Sequence, residues 1–290
     1  MSFLGRWFVL ALAGAAACRG TDPPRGSLTD DEGVALPPGQ PATAVVSLSP
    51  AFTEILFAIG AGDRLVGRTR WCDYPAEAAR VPSVGDGLSP AAEVILARRP
   101  DLVVFYASAG NAAALDQMRR AGVSAVSLRV DRLDDVPRVA RILGRLTGRE
   151  SGARGLAESF VRSLDSARAA TPPAGRRVAV VVWDNPPIVI GAGSFLSELL
   201  HLAGAANAFD DIAAPSAQTS IEIIAARDPD ALLVLGGDEP AALARPEWQL
   251  VPAVRERRFL RVEGSEFNRP SPRALGAVAA LHRALAGEGR

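Results

Sequence analysis

Glu93-Val-Ile-Leu-Ala-Arg-Arg-Pro-Asp101 and Glu222-Ile-Ile-Ala-Ala-Arg-Asp-Pro-Asp230 are two renderings of one phrase. Each runs on into an apolar, strand-like stretch, Leu102 to Phe105 after the first and Ala231 to Leu235 after the second. Each sets a glutamate seven residues ahead of a proline. A helix-then-strand unit repeated about half a chain apart predicts two similar lobes. Two lobes imply a cleft between them. They also imply two matched surface glutamates, Glu93 and Glu222, one on each lobe.

Around the first copy, apolar runs of strand type at 45–48, 65–69, 101–106 and 123–128 alternate with helical patterns up to 133–146. Around the second, the plan recurs with strands at 177–183, 188–190, 231–235 and 259–262 and a closing helix over 272–286. Alternation of this kind predicts parallel α/β sheets. Between the halves, Ala153, Leu156, Ala157, Phe160, Val161, Leu164 and Ala167 keep helical spacing until Thr171-Pro-Pro-Ala-Gly175 ends the run. At 1.5 Å per residue this is a rod of roughly 30 Å, read as a lone rigid spacer. The expected fold class is therefore α/β, with two Rossmann-like lobes of parallel sheet joined by one long rigid helix and a ligand cleft between them. The expected segments are a signal peptide at 1–17, a disordered tether at 18–42, a first lobe at 43–148, the connecting helix at 149–171 and a second lobe at 172–288.

The N-terminal assignment rests on Arg6, an eleven-residue apolar run from Trp7 to Ala17, and small alanines leading to Cys18. The run is too short to span a bilayer as a helix. It looks like a bacterial lipoprotein signal with Cys18 as the lipidated residue; the alternative is a plain secretory signal cleaved nearby. Either reading exports the chain. Residues 19–42 are rich in Pro, Gly, Asp and Thr and lack apolar periodicity, the composition of a tether.

Composition excludes several classes. Lys plus Arg and Asp plus Glu both number 32, so no basic field invites nucleic acid. Two cysteines make neither a disulfide framework nor a cysteine metal site. The two histidines, His201 and His282, sit in apolar helical stretches and read as structural, so no metal site is expected. There is no Gly-x-Ser-x-Gly elbow, no His-Glu-x-x-His and no lysine for a Walker motif. Catalysis and a resident cofactor are thus not expected; an exported α/β hydrolase is the remaining enzymatic alternative.

The stretch "VVSLSPAFTEILFAIGAGDRLVGRT" from Val45, then "CDYP" from Cys72, the glutamate-bearing helix leading into "RPDLVV", and finally "FNRPSPR" from Phe267 occur in a recognisable order. Over residues 44 to 286 the chain resembles the substrate-binding proteins of ABC importers for cobalamin and iron–siderophores. The resemblance implies a monomer that captures one large macrocyclic ligand and hands it to a membrane permease with its ATPase. It implies cobalamin or a related corrinoid as ligand, with a ferric siderophore or haem as alternative. It assigns Glu93 and Glu222 to docking on permease arginines. A carboxylate in the first turn of a helix is favoured by the dipole and held stiffly.

Ligands of open α/β sheets bind beyond the carboxyl ends of the strands. That points to Trp71, Tyr74, Tyr106, Trp183 and Phe267 as cleft aromatics. Arg269 is the candidate for polar contacts with the ligand; Arg273 reads as structural. By resemblance Trp71 and Tyr106 match cobalamin-contacting positions. Gly87 and Ser216 replace tryptophans of a cobalamin-binding member, and Ser265 replaces an acidic residue. Tyr74 or Tyr106 is the candidate axial ligand should the guest be haem.

Overall fold

A computed structural model describes residues 29–36, 39–236 and 244–287. The signal peptide and Cys18 lie outside these residues. In the first lobe, strand β1 (Val45–Ser47) leads to helix α1 (Pro50–Ala58). There follow β2 (Leu65–Arg68), α2 (Ala92–Leu96), β3 (Leu102–Tyr106), α3 (Ala112–Arg120), β4 (Ser124–Leu128) and α4 (Asp135–Thr147). The strands form one sheet in the order β2-β1-β3-β4, parallel throughout. Helix α5 (Glu150–Ala169) then crosses to the second lobe. That lobe contains β5 (Arg177–Asp184), β6 (Pro187–Ile190), α6 (Phe195–Leu202), β7 (Ala206–Asn207), β8 (Ser216–Gln218), α7 (Ile221–Arg227), β9 (Ala231–Leu235), α8 (Pro252–Arg255), β10 (Phe259–Val262) and α9 (Ala277–Ala286).

The repeated phrase builds the same joint twice. It forms α2 and the entry to β3 in one lobe, and α7 and the entry to β9 in the other. In each copy the residue directly before the proline has positive φ, Arg99 at 49° and Asp228 at 43°. The aspartate that follows ties down the neighbouring strand. Asp101 accepts hydrogen bonds from the backbone N–H of Thr43 (2.8 Å) and Ala44 (3.0 Å); Asp230 accepts one from Arg177 (2.7 Å). In each lobe this sets the register of the first strand, β1 or β5, against β3 or β9.

Two features differ from the sequence expectation. The second sheet is mixed, ordered β10-β9-β5-β6-β8 with β7 beside β5; β6 runs antiparallel to both β5 and β8. Only Asn185 and Pro186 separate β5 from β6, and a parallel return needs a crossover of about a dozen residues. The chain therefore folds straight back. Nor is α5 a lone spacer. Gly148, at φ 64°, turns the chain at the end of α4, and α5 packs along α4. Ala153, Ala157, Phe160 and Leu164 bury the inner face of α5.

A third difference concerns the tether expected over 18–42. Its second half is docked on the first lobe. Asp30 is buried, pairs with Arg119 at 3.0 Å and accepts from the Ser127 N–H at 3.2 Å. Leu36 joins the apolar core. A buried carboxylate with a guanidinium and backbone donors, next to one inserted leucine, outweighs the polar composition that suggested disorder.

One buried apolar cluster runs through both lobes, from Phe52, Ile55 and Leu143 to Val180, Leu199 and Leu281. Two smaller clusters fill the outer layers, one per lobe.

Candidate functional site

Beyond the carboxyl ends of each sheet lies a cavity. The first-lobe cavity, of about 620 Å³, is lined by Leu48, Trp71, Leu88, Tyr106, Asn111 and Arg269 among others. The second-lobe cavity, of about 500 Å³, is lined by Val182, Trp183, Ser194, Phe195, Leu235 and Phe267 among others. Asn268 borders both. A cavity of about 1000 Å³ near Arg176 and Arg258 lies at the opposite end of the second sheet, at the strand starts.

Trp71 and Trp183 give these cavities their character. Trp71 hangs from the loop after β2, whereas Trp183 stands at the end of β5, where that strand pairs with β6. Trp71 is 54% exposed and Trp183 59%, whereas Trp248 is buried in the core. The Arg70 guanidinium lies over the Trp71 ring at 5.0 Å and pairs with Asp86 at 3.2 Å. Backbone N–H groups of Ser89 and Leu88, with Arg70 close by, hold the Asp86 carboxyl below its ordinary value. The Trp183 indole N–H donates to the Asn185 carbonyl at 3.0 Å, which orients the ring.

Tyr106 closes β3 and faces the first cavity. Its hydroxyl donates to Asp131. Burial first, and then that hydrogen bond to a carboxylate, push the phenol above its ordinary range. Asp131 in turn gives its carbonyl to the Phe195 N–H of the second lobe at 2.7 Å. A chain of contacts thus links the cavity wall to the lobe interface.

The other sequence candidates are placed differently. Phe267 is 1% exposed and belongs to the shared core, contributing floor rather than an open ring. Tyr74 does not line either cavity; the Arg273 guanidinium covers its ring at 3.7 Å. Arg269 borders the first cavity but is 7% exposed, with Nη1 bonded to Asp73 at 2.8 Å and paired with Glu54 at 3.5 Å. Arg273 grips Glu54 with two hydrogen bonds, 2.9 and 2.8 Å, and also reaches Glu266 at 3.2 Å. Glu54 is on α1 and the arginines follow β10, so this buried network clasps the two lobes. A second clasp joins Leu133 N–H and Arg132 to Glu198, each at 2.7 Å.

Glu54, Asn111 and Leu88 were not singled out from sequence. Glu54 sits mid-helix in an apolar run, which is itself a signal of a buried charge awaiting a partner. Leu88, 77% exposed at the cavity rim, and Asn111 carry no such pattern. Gly87 has φ 81°, and a Cβ there would stand 2.6 Å from the Leu48 carbonyl oxygen. This loop therefore has no room for a side chain at position 87.

Glu93 and Glu222 are exposed in the first turns of α2 and α7. Each helix runs back along its sheet before its strand begins, so its first turn stands at the end where the cavities open. The Ser220 hydroxyl hydrogen-bonds the Glu222 side chain and keeps that carboxyl below its ordinary value. No group of three or more His, Cys, Asp or Glu among the described residues is placed to hold a metal ion. His201 pairs with Asp210 at 2.7 Å. Cys72 is buried with its sulfur 3.0 Å from the Thr53 hydroxyl and 3.1 Å from that of Thr69. No described helix is long and apolar enough to cross a membrane.

A family model described as periplasmic binding protein matches residues 45–264. A vitamin B12-binding protein of Vibrio parahaemolyticus is 28% identical over 241 residues, covering 82% of this chain and 88% of its own. The solved structure of the periplasmic vitamin B12 binding protein of Vibrio cholerae superimposes with a TM-score of 0.70 at 27% identity, covering 86% of this chain and 99% of that one. A periplasmic heme-binding protein of Roseiflexus is similar to the same degree, with a TM-score of 0.69, 28% identity and coverage of 85% and 99%.

Proposed function

The chain belongs to the periplasmic binding protein family, and from that premise we propose that it captures cobalamin or a related corrinoid and delivers it to an ABC permease. Membership implies an exported protein and, as partners, a permease with its ATPase. The observation that carries the ligand reading is the pair of tryptophans. Trp71 on one lobe and Trp183 on the other each leave more than half their surface open, in cavities that share Asn268. Exposed indoles facing a cleft favour a guest broad enough to cover both, and each aromatic ring buries roughly 150–250 Å² when covered. Arg269, held by Asp73 and Glu54, borders the first cavity beside Asn268.

Haem is the competing guest, because one similar structure is that of a periplasmic heme-binding protein. It calls for an axial ligand. Tyr106 is the tyrosine in the cavity wall, but its phenol already donates to Asp131 and is held protonated above its ordinary range. A phenolate facing that carboxylate is disfavoured, which supports a corrinoid over haem. Glu93 and Glu222 act as the two docking points for permease arginines, and Cys18 anchors the chain through a lipid.

The test is binding by the purified protein. Cyanocobalamin is expected to quench tryptophan fluorescence and raise the melting temperature through linkage, with haemin and ferric hydroxamates inert. Quenching by haemin or a ferric siderophore in place of cyanocobalamin would reassign the guest.

A further inference from the structure

We propose that Asn111 reads a primary carboxamide on the bound macrocycle and so sets a preference for amide-edged over carboxylate-edged ligands. The proposal rests on the macrocycle reading above. Asn111 closes the short turn Ala109–Asn111 and stands at the N-cap position of α3. It is 4% exposed and lines the first-lobe cavity beside Tyr106, Ser108 and Leu88.

An asparagine at an N-cap ordinarily accepts a hydrogen bond from a helix N–H through its side chain, from extended backbone. Here φ is −92° and ψ −12°, and the side chain makes no capping bond. Instead Nδ2 donates to the Tyr106 carbonyl at 2.9 Å. A carbonyl can only accept, so this bond fixes which end of the amide is oxygen. Oδ1 is then a buried acceptor with no hydrogen-bond partner among the described residues. Buried polar groups left unpaired are rare and call for an explanation.

A guest donor explains it. The edge of a corrinoid carries primary amides, each with N–H to give. A carboxylate has no donor at neutral pH and would set lone pairs against those of Oδ1. The buried Arg269 Nε likewise has no hydrogen-bond partner among the described residues. An amide edge offers Oδ1 an N–H, whereas a carboxylate offers it none.

The experiment measures tryptophan quenching with cyanocobalamin and with each of its derivatives in which one peripheral amide is hydrolysed to a carboxylate. At least one derivative is expected to bind the wild-type protein about tenfold more weakly, the scale of a lost hydrogen bond to a buried group. In Asn111→Leu, cyanocobalamin is expected to weaken by a similar factor and the gap to that derivative to close. Equal binding of every derivative by the wild type overturns the proposal, and so does a gap that persists in the variant, as it would if water filled the site. The wild-type comparison decides alone if the variant does not fold. Absence of any cyanocobalamin binding would remove the ligand reading and this proposal together, whereas binding without discrimination removes only this one.

Discussion

Asp101 and Asp230 carry the duplication at the scale of single residues. Each is the last letter of the repeated phrase, and each turns its carboxylate onto the backbone of its lobe's first strand. A hydrogen bond to a charged acceptor contributes about 1.5–3 kcal/mol when well placed, and these exposed ones fall toward the low end. Asp101→Ala and Asp230→Ala are each expected to cost about 1–2 kcal/mol in denaturant unfolding, with ligand affinity unchanged. Tyr106 offers a test of a different kind. An ordinary phenol titrates near pH ~10, and in the folded chain this one titrates higher. Folding thus favours the neutral phenol. The stability it contributes is complete below the unfolded value and is lost as pH rises through the folded one. In an alkaline absorbance titration one tyrosine should ionise late, and that late component should be missing from Tyr106→Phe.

At the scale of elements, the α4–α5 pair decides how the lobes are joined. Two glycines let α5 come close. A Cβ on Gly144 would lie 2.4 Å from that of Ala153, and a Cβ on Gly152 would lie 2.3 Å from the Ile59 carbonyl oxygen at the end of α1. In an open helix, alanine in place of glycine stabilises by roughly 0.5–1 kcal/mol. Here the sign reverses, because the added methyl has no space. Gly144→Ala and Gly152→Ala are each expected to destabilise by about 1–3 kcal/mol, the range for overpacking, seen as a lowered melting temperature. A gain in stability from either would show that α5 does not pack as described. This tight seating also explains why a helix read from sequence as a free rod is one half of a helical hairpin.

At the scale of the whole molecule, three kinds of contact hold the lobes. They are α5, the core cluster shared by both lobes, and the two clasps at Glu54 and Glu198. Breaking a buried clasp leaves uncompensated charge, which costs about 3–5 kcal/mol, so wide opening is disfavoured and the distance between the lobe surfaces stays set. Such a frame suits docking through two fixed carboxylates. Replacing both Glu93 and Glu222 by Arg is expected to abolish uptake in cells while cyanocobalamin affinity of the purified protein stays at the wild-type level. Uptake at the normal rate would remove the docking assignment. Loss of affinity would mean that the two glutamates serve the cleft.

What was legible in the linear chain was whatever local periodicity and repetition encode. The repeated phrase, the alternation of strand and helix and the long amphipathic run together predicted two α/β lobes joined by a helix. The cleft tryptophans followed because strand ends are readable and α/β ligands gather there. Folding in three dimensions decided what depends on partners distant in sequence. Asp73 and Glu54 meet Arg269 across some two hundred residues, turning a predicted ligand contact largely into a clasp. Phe267 sinks into a core supplied by both lobes, and Asp30 finds Arg119 and so pins a segment whose composition reads as tether. The antiparallel return of β6 and the Asn111 oxygen, without a partner among the described residues, also belong to this class. Hydrogen bonding and burial are properties of neighbours in space, and a side chain's spacing along the chain does not specify those neighbours.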